Sequence, residues 1–323
     1  MSGTSETWVR EARKAMGTRW EVVVPGEDRA RLRGAAEEAL DEVERLEAQL
    51  SKFKYESEVF GINQRAAQEA VRVEPRLFTL LRTSIEISQA TGGAFDLTVG
   101  PLLRAWGFVG GGGQLPAPEA IAAARELVGW ELVELDDAAT TVHFLREGVS
   151  LDLGAIGKGY AIDRSLALME DAGIDCALIH GGTSTVFGLG APPGAEGWRV
   201  ALRDPRGDEQ QSFGELLLRD RALSLSGPHN KAFRAGDRLY GHVLDPRTGE
   251  PTQGALLAAV GHTSATLTDA LSTALLVLGA EGLVPLAAEY PDADLLVVEA
   301  TPEGLWFHSA GPDHWSLRLE GSP

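Results

Sequence analysis

A chain of 323 residues is too long for a disulfide-stapled miniature, and 44% hydrophobic with 24% charged residues is the composition of a folded globular protein rather than a disordered chain or coiled coil. The net charge of −18 (29 Lys and Arg against 47 Asp and Glu) argues against nonspecific attraction to nucleic acid or anionic lipid as the primary function. An anionic ligand would need a local reversal of field from a divalent cation or a helix N-terminus.

The opening residues to Trp20 carry no apolar stretch of the signal-peptide kind, and no later run approaches the ~20 apolar residues of a membrane span. The chain as written is therefore expected to be cytoplasmic with no transmembrane segment; a trimmed export signal would leave the same appearance, which keeps an exported or periplasmic location open. The lone Cys176 cannot form an intramolecular disulfide and reads as a small buried residue.

Trp20 to Val24 predicts a strand, and Leu32, Ala36, Ala39, Val43, Leu46 and Leu50 recur at threes and fours as the core stripe of a helix. A second helix carries Leu77, Leu80, Leu81, Ser84, Ile85 and Ser88 and closes at Thr91, Gly92 and Gly93, with a loop at Ala94 to Asp96. Gly110 to Gly113 predict a flexible connection, and Pro118 begins a helix to Val128. Short strands follow at Glu131 to Leu135 and Thr141 to Phe144. LDLGAIGKGYAIDRSLALMEDAG then runs from a strand at Leu151 through glycines into a helix ending at Gly173, followed by the strand ALIHGG. Short alternating runs fill Trp198 to Val243, and a helix spans Asp269 to Leu278 before Gly279. This irregular mixture predicts an α+β fold with antiparallel sheets, without repeats or a clean linker.

Gly154, Gly157, Lys158 and Gly159 imitate a P-loop, but the earlier glycine is absent and Gly159 replaces the Ser or Thr after the lysine. GTST at Gly182 to Thr185 misses the serine-hydrolase elbow because Val186 stands at its last glycine. In TDALSTALLVLG, Asp269 and Thr273 lie four apart and share one helix face; a carboxylate with a hydroxyl suits a hard cation such as Mg²⁺. Taken alone, Thr268 as N-cap and Asp269 as a first-turn charge is the simpler account of that pair. HVLDPRTGEP places His242 at the end of a short strand before a turn, where an imidazole, with an unperturbed pKa near neutrality, could serve as a general base or stack on an aromatic ligand, although a lone histidine beside a turn is usually structural. His143, His180, His229, His262, His308 and His314 have no motif that raises them above structural roles.

MGT at Met16, LSKFKYESEVFGIN at Leu50, TGGAFDLTVGPLLRAWGF at Thr91, LDLGAIGKGYAIDR at Leu151, HGGTSTVFG at His180, SG at Ser226, HVLDPRTG and DALSTALLVLG form an ordered series. Together they closely resemble the FAD:protein FMN transferase family, the ApbE-like flavin transferases, from roughly Ala15 through Val298. The resemblance implies one unit over 1–323 with duplicated T-fold-like halves, approximately 15–150 and 151–300, that share an FAD cleft. It implies Mg²⁺-dependent transfer of FMN from FAD to a Thr or Ser hydroxyl of another protein, with AMP released. The implied acceptor is a short Gly-containing motif, often in a redox protein.

By the same resemblance, Asp269, Thr273 and the Ala155 carbonyl hold the metal, and Met16, Phe53, Ala94, Phe95, Asp96, Asp152, Lys158 and Val243 contact FAD. Lys158 would stand by the pyrophosphate, and His242 would deprotonate the attacking hydroxyl. Met16, Phe53, Phe95 and Val243 would sit equally well in a core. Two departures bear on substrate orientation: Thr183 replaces an acidic residue or Asn, and Phe53 replaces a common Tyr, losing a hydroxyl. The alternatives are an Mg²⁺-dependent FAD pyrophosphatase giving FMN and AMP, and a noncatalytic FAD-binding protein.

Overall fold

In the computed structural model, which describes residues 7–206, 211–228, 232–302 and 304–319, the chain enters on a hairpin that the sequence pattern did not announce. Strand Trp8–Ala15 pairs with Thr18–Pro25 across a two-residue turn, Met16 and Gly17, whose φ values of 50° and 74° are the signature of a type I′ turn. The first strand reads as polar because it is the sheet's edge: only Val9 and Ala15 of its side chains are buried, and four of the other six residues are charged (Arg10, Glu11, Arg13 and Lys14).

Among the described residues, eight strands build the main sheet in the order Trp8–Ala15, Thr18–Pro25, Ala177–Gly181, Thr185–Leu189, Arg221–Ser226, Ala255–His262, Asp294–Thr301 and Gly304–Ala310. Every neighbouring pair is antiparallel. Trp20 lies opposite Gly181, so residues on either side of position 150 share one sheet.

Successive strand residues face opposite sides, and here both sides are dry. Val22 and Val24 enter one core while Val23 enters another; Leu295 and Val297 oppose Leu296 and Val298 in the same way. The first core lies under helices Arg29–Leu50, Gly157–Asp171 and Ala265–Leu278. The second lies under a small sheet of Trp198–Arg203, Ser212–Leu218 and Arg318–Leu319, with Trp315. The architecture is α+β. A third, smaller cluster gathers Leu102, Trp106, Ala124 and Leu244, with Phe108, Phe233 and Tyr240 packed against it.

Helix Pro75–Ala90 ends as its glycines require, with Gly92 and Gly93 at φ 57° and 78°. Three expectations are corrected. Leu151–Leu153 is not a strand: the Asn63 amide side chain takes both the N–H and the C=O of Leu151, and the Asp152 N–H donates to the Leu97 carbonyl, so no ladder can form. The last long helix starts at Ala265, four residues before Asp269, with Ser264 as its N-cap. The helical run Ala265–Glu289, 25 residues with an 18-residue window of mean hydropathy 1.7, is long and apolar enough by length and composition to cross a membrane, contrary to the expectation from the sequence. Half of that stretch is buried inside the protein, where Ala270, Leu271, Ala274 and Leu275 pack in the first core.

Cys176 is half-buried; its thiol donates to the Ala191 carbonyl at 3.1 Å, and burial pushes its pKa up to about 11, which keeps it protonated and unreactive near neutrality.

Candidate functional site

The glycine-rich turn and the Asp269 helix meet. Asp152 accepts the Gly154 N–H at 2.8 Å on one oxygen and pairs with Lys52 on the other, which fixes the turn Gly154–Ile156. In a regular helical turn the Gly159 N–H would return to the Ala155 carbonyl. Instead it donates to Asp269 Oδ2 at 3.0 Å, and among the described residues no donor replaces it on that carbonyl. Asp269 Oδ1 accepts from Lys158 Nζ and from Thr185 Oγ1, both at 3.2 Å, and Lys158 also reaches the Gly154 carbonyl at 3.4 Å. Asp269 is 4% exposed. Thr273 Oγ1, on the same helix face, lies 3.4 Å from the Asp269 carbonyl and 3.4 Å from Ser226 Oγ, which itself lies 2.9 Å from Ser272 Oγ.

The capping account of Asp269 falls with the true helix start, because Asp269 sits in the second turn. The Ser264 cap is reinforced from another helix. Asp163 accepts four hydrogen bonds at the N-terminus of Ala265–Leu278: from the N–H groups of Ala265 (2.8 Å) and Thr266 (2.9 Å), and from the hydroxyls of Ser264 (3.0 Å) and Thr266 (2.6 Å). The carboxylate meets orphan donors and the positive end of the helix dipole together. Asp163→Ala is expected to cost about 1–3 kcal/mol, read as a lowered urea midpoint. A midpoint equal to the parent's would show the cap to be dispensable.

The residues expected at FAD distribute around this junction. Met16 is half-buried, and its N–H donates to Glu47 Oε1 at 2.9 Å; the other Glu47 oxygen accepts from Lys54 at 2.8 Å, tying the hairpin tip to the loop that bears Phe53. Phe53 is 65% exposed, with the Lys52 ammonium 5.1 Å from its ring centroid. Ala94 and Phe95 are buried in the first core. Asp96 is also buried, and its carboxylate accepts from the Thr98 N–H (2.7 Å), the Thr98 hydroxyl (2.6 Å) and the Trp130 N–H (2.9 Å). Burial raises its pKa despite these donors. In this structure, then, Asp96 spends its carboxylate on the loop at Gly129–Trp130, a role that the motif did not reveal.

Val243 packs against the first core, and its carbonyl accepts from the Thr252 N–H at 2.9 Å. His242 follows strand Arg238–Gly241 with its ring edge-on to Phe108, 6.4 Å between centroids, beside the third cluster. The turn after it is held by Trp106 Nε1 donating to the Gly249 carbonyl at 2.8 Å, and a Cβ at Gly93 would touch Arg247 at 3.7 Å. The His242 loop therefore abuts the Ala94–Asp96 loop, while Leu97 links the latter to Asp152.

Asp152, Lys158 and Asp269 are joined through direct hydrogen bonds and the short turn that carries Ala155; Thr273 shares the Asp269 face. His143, His180, His262 and His308 have local partners in Glu134, the Gly182 carbonyl, the Ser264 N–H and Glu299, and His229 lies outside the described residues. The sequence reading missed Lys52, Asp163, Thr185 and Ser224. Ser224 had one legible signal, hydroxyls at alternating positions of its strand with Ser226; Thr185, at the start of its strand after Thr183 and Ser184, had none.

Among the described residues no group of three or more His, Cys, Asp or Glu gathers as a metal cluster. A cation here would rest on one carboxylate and neutral oxygens, a donor set for an oxygen-seeking ion rather than a thiolate or imidazole metal.

The ApbE family model matches residues 16–297. A FAD:protein FMN transferase of Klebsiella pneumoniae (strain 342) is 31% identical over 299 residues, covering 88% of this chain and 83% of the relative. One of Treponema pallidum (strain Nichols) is 30% identical over 283 residues, covering 83% and 78%. The crystal structure of the ApbE protein from Thermotoga maritima superimposes with a TM-score of 0.85 at 30% identity, covering 94% of this chain and 97% of that one. The apo flavinyl transferase ApbE of Pseudomonas stutzeri gives 0.82 at 27% identity, with 96% of each chain covered. With most of its length matched in sequence and in fold, the chain belongs to the ApbE family.

Proposed function

We propose that this protein is a FAD:protein FMN transferase that moves FMN from FAD to a Thr or Ser hydroxyl of an acceptor protein and releases AMP. One observation carries the reading: a buried carboxylate, Asp269, stands with the Thr273 hydroxyl on its face and beside a turn whose Ala155 carbonyl has no donor among the described residues, with Lys158 alongside. A carbonyl without a donor, a hydroxyl and a carboxylate fit Mg²⁺, which those three residues would hold. When bound, Mg²⁺ neutralises charge on the pyrophosphate, which a chain of net charge −18 otherwise repels.

Lys158 brings a second positive charge to the same point. Met16, Phe53 and the backbone of Ala94–Asp96 would border the nucleotide from residues 15–150, and Asp152, Lys158 and Val243 from 151–300, so the two stretches would share the cleft. In the reaction the acceptor oxygen forms a bond to the FMN-side phosphorus while the bond from that phosphorus to the bridging oxygen breaks. AMP leaves with the bridging oxygen, and the acceptor's proton passes to His242. The flat surface of Phe53 and the flexible thioether of Met16 suit an aromatic ring.

Incubation with FAD, Mg²⁺ and a redox protein bearing a Gly-rich Thr or Ser motif tests this by mass spectrometry. Transfer is expected as acceptor mass gain with AMP; FMN and AMP without acceptor gain would make the protein a hydrolase, and intact FAD a binder. His242→Ala is expected to slow transfer by about 10²–10⁴-fold. Transfer at the parent rate would remove His242 as base.

A further inference from the structure

We propose that Thr185 is a positioning residue for the Asp269 carboxylate, at the head of a buried hydroxyl chain running back through Ser224 to Thr268. The inference rests on the reading of Asp269 as a metal ligand and gives a role to Thr185, inside HGGTSTVFG, and to Ser224 and Thr268, outside the motifs. Thr185, Ser224 and Thr268 are 1%, 0% and 0% exposed. Ser224 lies opposite Thr185 on the paired strands Arg221–Ser226 and Thr185–Leu189, and Thr268 immediately precedes Asp269 on its helix. The chain thus leaves the helix at one residue, crosses two strands and returns to the next residue.

Its bonds are Thr268 to Ser224 at 2.8 Å, Ser224 to Thr185 at 3.3 Å, and Thr185 to Asp269 Oδ1 at 3.2 Å. Proton counting fixes the direction of the last bond. A hydroxyl has one proton, and a carboxylate facing Lys158 and the Gly159 N–H acts only as acceptor, so the Thr185 proton belongs to Asp269. Thr185 then accepts from Ser224, and Ser224 from Thr268, whose single proton is shared between Ser224 at 2.8 Å and the Ala265 carbonyl at 3.0 Å; each link polarises the next in a water-poor interior. With Oδ1 accepting from Lys158 and Thr185, and Oδ2 accepting only from Gly159, the open acceptor sector is on Oδ2. The hydroxyl chain sets the carboxylate's rotation and hence which oxygen it presents.

Mn²⁺, an oxygen-seeking ion with an EPR signal, probes this without reference to turnover. In titrations of the full chain followed by EPR of free Mn²⁺, Thr185→Val is expected to weaken binding by about 10–100-fold, the usual effect of losing a partner that orients a ligand. Thr185→Ser, which retains the hydroxyl, is expected to restore affinity to within about threefold. A purely structural role would lower the melting temperature of Thr185→Val and leave Mn²⁺ affinity unchanged. Ser224→Ala removes the two bonds behind Thr185, to Thr185 and to Thr268, leaves the Thr185 bond to Asp269 in place, and is expected to weaken binding several-fold. Parent affinity in Thr185→Val or in Ser224→Ala, with Asp269→Ala defective, overturns the positioning chain alone. Parent affinity in Asp269→Ala removes the metal reading and this inference with it.

Discussion

Gly159→Ala is expected to lower the melting temperature by roughly 6–12 °C and to abolish FMN transfer in whatever fraction stays folded. A Cβ at position 159 would lie 2.0 Å from the Ala265 carbonyl oxygen, 2.5 Å from its carbon and 2.8 Å from Asp269 Cβ. Two of these three atoms are backbone, so no rotamer change relieves the overlap; helices Gly157–Asp171 and Ala265–Leu278 must separate. The cost is about 3 kcal/mol or more, at the upper end for overpacking a core. Separation also breaks the 3.0 Å bond from the Gly159 N–H to Asp269. The control lies two residues away: a Cβ at Gly157 meets only Leu50 Cδ1 at 3.8 Å, an ordinary contact, so Gly157→Ala should melt with the parent or slightly above it. Thermal melts of the pair decide the matter. If Gly159→Ala melts within about 2 °C of Gly157→Ala, the helices do not touch there and the site is misdrawn.

What the sequence disclosed follows from the range of the interactions involved. The stripe Leu32 to Leu50 and the closure at Gly92–Gly93 are local, and both are realised. Asp269 and Thr273 share a helix face because i and i+4 always do. The start of that helix has a local mark in Ser264, whose hydroxyl accepts the Leu267 N–H, but the further cap, Asp163, lies about a hundred residues earlier and is visible only in the packing. Strand Trp8–Ala15 escaped because an edge strand needs few apolar residues. Asp96 shows a harder limit: its motif suggests a carboxylate facing FAD, but only the packing shows its two oxygens turned to Thr98 and Trp130. Lys52, Thr185 and Ser224 are ordinary residues made particular by the groups opposite them.

Asp269→Asn is expected to reduce FMN transfer by on the order of 10²–10³-fold or more while costing about 1–3 kcal/mol of stability. The side chains have the same shape, so the losses isolate charge and donor pattern. The carboxylate receives three donors: Lys158 and Thr185 on one oxygen, the Gly159 N–H on the other. An amide has one oxygen. If that oxygen faces Lys158 and Thr185, its NH₂ opposes the Gly159 N–H; if it faces Gly159, its NH₂ opposes the lysine and the threonine. Both orientations leave a buried donor against a donor, and both remove the negative charge beside Lys158. Lys158 has a side chain 20% exposed and can swing toward water, which holds the stability cost below that of a sealed ion pair. From sequence alone, the loss at this position would fall almost wholly on chemistry. Burial and three bonds make Asp269 a fastener between the two helices and strand Thr185–Leu189 as well, so activity must be compared at equal folded fraction, with each variant assayed well below its own melting temperature. Under that condition the requirement for Mg²⁺ should rise as transfer falls. Transfer within about tenfold of the parent at saturating Mg²⁺ would mean that the negative charge at residue 269 serves the fold and not the phosphates.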